Sequence, residues 1–268
     1  PCAVIITCLF YGAISGSAPA TVAAVGAMTI PVMVNLGYSK EFSTAVVTVA
    51  GGLGCIIPPS IPFVLYSTSA GTSVGDMFIA GIVPGLLLGG LLMIYAVYYS
   101  ARRGEDRVRI KAVMGELRGQ GFLRLFLDSF WALLTPVIIL GSIYGGIATP
   151  TEAAVISVYY ALFVSVFIYK TIKVSEIPAV FMESLKTIAP ILFVLSAAVS
   201  FGRVLALMNV PQMVGAWITS SFSSKWTILL VVNIFLLFVG MVMDAAPAIL
   251  ILTPILAPVM TAIGVDLV

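Results

Sequence analysis

Apolar residues fall in blocks of about 20, the number a helix needs to cross the ~30 Å hydrocarbon core of a bilayer. The blocks fill residues 1–36, 42–69, 77–100, 126–148, 153–169, 187–208 and 227–263. Short polar turns lie at 37–41, 71–76 and 149–152, a charged stretch at 101–125 separates two halves, and mixed segments occupy 174–186 and 209–225. The pattern predicts helix for each block. Three of them, however, carry turn chemistry where a plain membrane helix would be most apolar.

The stretch 49–71, VAGGLGCIIPPSIPFVLYSTSAG, is long enough to span but cannot be one continuous helix. Pro58, Pro59 and Pro62 remove three backbone donors and clash with carbonyls one turn back. Gly51, Gly52 and Gly54 loosen the turn before them. In lipid each unpaired backbone group costs several kcal/mol, so such a break survives only against protein or a wet cavity. Breaks of this kind expose the carbonyls and half-helix ends with which secondary transporters hold ions and anionic substrates. A proline kink with a packing role is the competing reading. A Gly-rich run followed by PPSIP favours the break.

Block 1–36 is interrupted by Ser15-Gly16-Ser17-Ala18-Pro19-Ala20, leaving halves of about 15 residues, expected to be too short to span. This predicts a re-entrant helical hairpin, with Pro19 in the first turn of the returning helix and Ser17 as its N-cap. Block 227–263 is broken likewise at Met243-Asp244-Ala245-Ala246-Pro247-Ala248. In 77–100, Gly85, Gly89 and Gly90 allow close helix packing. Thr149, Pro150 and Glu152 read as N-cap, N1 and N3 of a capping box, which gives Glu152 a structural role. Segment 174–186 is expected to lie along the membrane interface. Arg203 should snorkel from the outer end of its span, with Trp217 and Trp226 near the interface.

Composition narrows the class. Hydrophobic residues make up 61% of the 268 and charged ones 9%, against ~25% charged in soluble domains. The fold class is therefore an all-α polytopic membrane protein with no room for a separate soluble domain. A net charge of +2 gives no footprint for nucleic acid. Cys2, Cys8 and Cys55 lie in apolar segments without metal-ligand spacing and read as buried fillers, and there is no histidine. The chain opens at Pro1 without a methionine or leader and stops at Val268 inside an apolar pattern, which reads as a fragment.

Charge also sets orientation. Arg102, Arg103, Arg107, Arg109, Lys111, Arg118 and Arg124 mark 101–125 as cytoplasmic. Lys40, Lys170, Lys173 and Lys186 then fall on the same side, so eleven of the 13 Lys and Arg are inside, with Arg203 and Lys225 outside. The two hairpins open from opposite faces. Ala18-Pro19-Ala20 leads to Pro31-Val32-Met33 and Ala246-Pro247-Ala248 to Pro258-Val259-Met260, at proline spacings of 12 and 11 with one gap. Together these features suggest an inverted-topology repeat. Its plan is a first repeat at 1–100, a cytoplasmic basic loop at 101–125, second-repeat scaffold helices with an interfacial arm at 126–225, and a second re-entrant hairpin at 226–268.

The stretches GAISGSAPATVAAVGAMTIPVM, GGLGCIIPPSIPFVLYSTSAG, GIATPTEAA and MDAAPAILILTPILAPVM resemble the large membrane subunit of TRAP (tripartite ATP-independent periplasmic) transporters, the DctM-like permeases. The resemblance covers nearly all of the chain. It implies an elevator fold like that of the ion-transporter superfamily, in which hairpins and broken helices move against a scaffold. It further implies sodium-coupled import of organic acids of the C4-dicarboxylate, sialic acid or keto acid class, with Na+ as coupling ion and no other cofactor. The implied partners are a small membrane subunit (Q type), a periplasmic substrate-binding protein (P type) and the lipid of a bacterial or archaeal cytoplasmic membrane. On matching positions, Ser15, Gly16, Ser17, Pro58, Pro59 and Ser60 belong to the first tip and break, and Asp244, Ala245 and Pro247 to the second tip. Family members extend beyond both ends, into a second proline-broken helix after the second hairpin.

The chemistry of these residues agrees. Sodium takes oxygen ligands, and unwound carbonyls with the hydroxyls of Ser17 and Ser60 supply them. Half-helix N-termini favour an anionic substrate. Asp244 is the one carboxylate expected deep in the membrane, where it serves as ligand, as cap of the following helix, or as both. An enzyme is disfavoured: Ser17 has no histidine or nearby lysine to activate it, and a lone deep aspartate makes no dyad. The alternative is a passive channel, since re-entrant loops also line filters, or another secondary anion transporter that needs no binding protein.

Overall fold

The computed structural model describes residues 1–103, 122–222 and 224–268, and among these every regular element is helical. The basic loop expected at 101–125 lies mostly outside the described residues, with Arg107, Arg109, Lys111 and Arg118. The helices are α1 (Cys2–Ser15), α2 (Ala18–Asn35), α3 (Lys40–Leu53), α4 (Ile61–Ala70), α5 (Val74–Arg103) and α6 (Phe122–Tyr144). There follow α7 (Pro150–Phe163) with a π-helical extension (Val164–Ile168), then α8 (Ile177–Leu207), α9 (Val210–Ser221), α10 (Lys225–Val242) and α11 (Ala245–Ala262).

Among the described residues, six helical segments are long and apolar enough to cross a bilayer. Their exteriors are apolar: Met241 and Val242 of α10 are 82% and 87% exposed, while the hydroxyl-bearing Thr21, Ser43 and Ser60 are buried. That inversion suits a chain solvated by lipid, where polar groups must be satisfied internally.

The broken helix is real and its gap is tight. α3 is capped by Ser39, whose Oγ accepts the Phe42 N–H at 3.3 Å, and ends at Leu53. Residues 54–60 run through turns, with a cis peptide between Pro58 and Pro59, before α4 opens at Ile61. The gap is shorter than the expected 51–62 because Gly51 and Gly52 stay helical and Pro62 fits the first turn of α4, where no N–H is needed.

One expectation is corrected in part. α2 has 18 residues, about 27 Å at 1.5 Å per residue, so this half of the first hairpin is not too short to span, whereas the 14-residue α1 is as short as expected. Each tip is only two residues, Gly16-Ser17 and Met243-Asp244, and helix runs up to it on both sides. Residues 174–186 do not form an element of their own. After one 3₁₀ turn (Val174–Glu176) the chain enters the 31-residue α8, and Glu183 and Lys186 pair along its surface at 3.0 Å instead of ending it.

Contacts divide the chain into two units, one of Pro1–Ile61 with Phe78–Ile172 and one of Pro62–Met77 with Lys173–Val268. In the first, α1 lies against both α2 and α3, and Ile5, Cys8, Val25, Val46 and Val47 form the core. Gly51 lets α3 touch Val22 of α2, where an added Cβ would stand 2.4 Å from Val22 Cγ2. α6 and α7 form a pair, tied by Tyr160 Oη donating to Trp131 O at 2.7 Å. The capping box that opens α7 is formed as expected: Thr149 N and Oγ1 each donate to Glu152 Oε2 at 2.8 Å, and Glu152 N to Thr149 Oγ1 at 3.4 Å. In the second unit α11 packs on α8 and α9, around Ile218, Ile228, Val232 and Val259.

Candidate functional site

α1 ends because Gly16 takes a left-handed backbone (φ 61°), with its N–H bonded to Gly12 O at 2.7 Å. Glycine adopts this conformation without a Cβ penalty. Ser17 follows in extended backbone at the N-cap of α2, and Pro19 sits in the first turn. The hydroxyl of Ser17 accepts no first-turn N–H, so the cap is one of position only. Ser15 fills the local polar role. Its Oγ accepts the Ser17 N–H at 3.3 Å and meets Thr21 Oγ1 at 2.9 Å, while Thr21 Oγ1 donates to Ser17 O at 2.8 Å.

This tip is seated on the helix break. Ile61 N–H donates to Gly16 O at 3.4 Å, and the Cys55 thiol donates to the same carbonyl at 3.7 Å. Pro59 O lies 3.4 Å from where a side chain on Gly16 would begin. Ser60, 2% exposed, donates its hydroxyl to Cys55 O. The structure thus gathers Gly16, Pro59 and Ser60, with Ser15 and Ser17 in the tip itself and Pro58 in the facing loop.

Sequence reasoning missed Gly12 and Ile61, and it named Gly54 only as loosening the turn and Cys55 only as a filler. An added Cβ on Gly12 would stand 2.2 Å from Gly54 Cα, so the backbones of α1 and the break touch with nothing between them. The available signal was Gly12-x-x-x-Gly16, a small-residue spacing that permits close helix approach. Cys55 is not a buried filler, since its thiol is partly exposed and faces the tip carbonyl. The donors gathered here are carbonyls and hydroxyls, which suit a hard cation. Among the described residues no group of three or more His, Cys, Asp or Glu could hold a metal.

The second tip has the same build. Met243 and Asp244 are extended, and Asp244 is the N-cap of α11, with Ala245 first and Pro247 third in the helix. The exposed carboxylate of Asp244 accepts no first-turn N–H, so the capping bond considered for it is not made. Counted from the N-caps Ser17 and Asp244, Pro31 and Pro258 both fall 14 residues on, so the Pro-Val-Met triplets align without the gap. The offset lies in the tips, where Pro19 is second in α2 and Pro247 third in α11. The open ends of this hairpin are tied by Lys225 Nζ donating to Gly264 O at 2.6 Å.

Apolar helices of spanning length, beside a Gly/Pro break with a hairpin tip seated on it, define a multi-pass membrane protein of the transporter class. The family model of the tripartite ATP-independent periplasmic transporter DctM component matches residues 1–268, and the chain belongs to that family. It is 44% identical over 267 residues to the isethionate TRAP transporter permease protein DctMQ of Oleidesulfovibrio alaskensis, covering 98% of this chain and 41% of that protein. It is 43% identical to the C4-dicarboxylate TRAP transporter large permease protein DctM of Pseudomonas aeruginosa, over 98% of this chain and 60% of that one. The 2,3-diketo-L-gulonate TRAP transporter large permease protein YiaN of Escherichia coli is 34% identical, again over 98% and 60%. These relatives are named as permease subunits and not as enzymes. The chain spans 41–60% of their length.

Proposed function

We propose that this chain is the permease portion of a sodium-coupled, binding-protein-dependent importer of small organic acids that works by an elevator motion. The observation that carries the proposal is the seating of the Gly16 tip on the 54–60 break, which gathers main-chain oxygens beside the buried Ser60. Such a donor set holds a hard monovalent ion without a buried carboxylate. Ser15, Gly16, Ser17, Pro58, Pro59 and Ser60 form the first half-site in this reading, with Ser17 and Ser60 toward Na+. Asp244, Ala245 and Pro247 form the tip of the second. The uncapped carboxylate of Asp244 is left with its oxygens available to an ion. The first amides of α2 and α11 favour the negative group of the substrate. Isethionate, C4-dicarboxylates and diketogulonate, named for the relatives, all carry one.

In the elevator reading the two hairpins open from opposite faces as an inverted repeat, and 1–100 with 226–268 move against a scaffold at 126–225. The matched Pro31 and Pro258 registers support the repeat. A small membrane subunit and a periplasmic binding protein complete the tripartite assembly in the cytoplasmic membrane. The test is uptake by the complete transporter with Ser17→Ala or Ser60→Ala. Each should raise the sodium concentration for half-maximal uptake. Uptake that falls with its sodium dependence unchanged would assign both serines to packing alone.

A further inference from the structure

A cavity of about 470 Å³ opens between the N-terminal half of α3 and the C-terminal half of α5, away from the tip and break. Its mouth carries Ser39, Glu41, Tyr95 and Tyr99, and its wall is Phe42, Val46, Val49 and Leu92. The two helix ends are joined at the mouth, where Ser39 Oγ meets Tyr99 Oη at 3.5 Å and Tyr38 Oη meets Ser100 Oγ at 3.3 Å. Phe42 stacks on Tyr99 at 3.6 Å between centroids, which fixes the upper wall.

We propose that this cavity binds one membrane phospholipid with a protonated amine headgroup, phosphatidylethanolamine, on the cytoplasmic side. Three observations lead there. The apolar positions Phe42, Val46 and Val49 repeat every three to four residues down one face of α3. From Ser39 to Val49 the groove is about 15 Å deep at 1.5 Å per residue, half the ~30 Å core and so the depth of one leaflet. The mouth holds one carboxylate, Glu41, with two tyrosine rings beside it, the pairing that recognises an ammonium group. Among the described residues Glu41 has no hydrogen-bond or ion-pair partner. The nearby guanidinium of Arg102 lies over the Tyr98 ring at 5.2 Å, and Tyr98 is not part of the cavity wall. Among the residues lining the cavity Glu41 is the one charged group, and an amine headgroup is complementary to it. The hydroxyls of Ser39 and Tyr95 can donate to the adjoining phosphate.

The test uses the complete permease, purified with its small subunit, stripped of lipid and titrated with phosphatidylethanolamine or phosphatidylglycerol under native mass spectrometry. One phosphatidylethanolamine should be retained about fivefold more strongly than phosphatidylglycerol. Glu41→Gln should erase that preference, and Val49→Trp, which fills the tail groove, should lower retention of both lipids. If Glu41→Gln does not fold, the Val49→Trp comparison decides alone. Equal retention of the two lipids, or retention untouched by Val49→Trp, overturns the proposal. So does a Val49→Cys variant that cross-links in membranes to a protein segment, because the groove would then belong to that segment.

Discussion

Replacing Gly12 with alanine places a methyl carbon 2.2 Å from Gly54 Cα, 2.8 Å from its carbonyl carbon and 2.9 Å from its oxygen. Ordinary contact begins near 3.4 Å, so α1 and the break must part by about 1 Å, and backbone offers no rotamer to yield. Overpacking of this kind costs about 1–3 kcal/mol. Gly52→Ala is the matched control, for its added Cβ meets nothing within 4 Å. Both glycines are helical, so the gain in helix propensity, up to about 1 kcal/mol, cancels between them. At roughly 2–4 °C per kcal/mol the two variants should differ in Tm by about 2–12 °C, with Gly12→Ala the lower. Thermal unfolding of the complete transporter in detergent, followed by circular dichroism, reads this directly. The separation also stretches the Ile61 N–H to Gly16 O bond, already 3.4 Å. Uptake by Gly12→Ala in proteoliposomes should then need more sodium than uptake by Gly52→Ala. Variants melting within 1 °C of each other would refute the close approach, and equal sodium requirements would refute its link to the ion.

Cysteine introduced in the 102–118 loop should be labelled only from the cytoplasmic side; labelling from outside in intact cells would overturn the orientation. Thr149→Ala removes the capping hydroxyl of α7 and should cost about 0.5–2 kcal/mol in thermal stability. It should leave sodium dependence unchanged, and a shift in sodium requirement would give Glu152 a part in transport. Asp244→Asn should leave the melting temperature within about 2 °C, because the carboxylate caps no N–H, and abolish coupled uptake. Wild-type uptake by Asp244→Asn would remove Asp244 from the ion path.

The elements of the fold were legible wherever proline or glycine punctuated an apolar block. Pro19, Pro58, Pro59 and Pro150 each lack a donor, and each marks a tip, a break or a helix start in the structure. Lengths were less legible. The tip of the second hairpin looked six residues wide in sequence, yet Ala245 to Ala248 are good helix formers or fit a first turn, so helix reclaims them. At 174–186 the charges of Glu183 and Lys186 pair along α8, so the stretch runs on into one helix. At the site, side chains with chemistry of their own could be picked out, as Ser15, Ser17 and Ser60 were. What seats the tip could not. Gly12 and Gly54 act through the absence of a side chain, and Cys55 through a carbonyl 39 positions away, which no local pattern encodes.

The junction of tip and break is written mostly in main chain. Gly16 O, Cys55 O, Pro59 O and Ile61 N belong to the backbone, and every amino acid provides a carbonyl. An alanine scan would therefore pass over these groups and register the glycines that shape them. Chemical replacement of single amides by esters, which weakens one carbonyl while keeping each side chain, reaches what genetics cannot see. Natural variation faces the same asymmetry: side chains around the junction are free to drift while its main-chain oxygens persist.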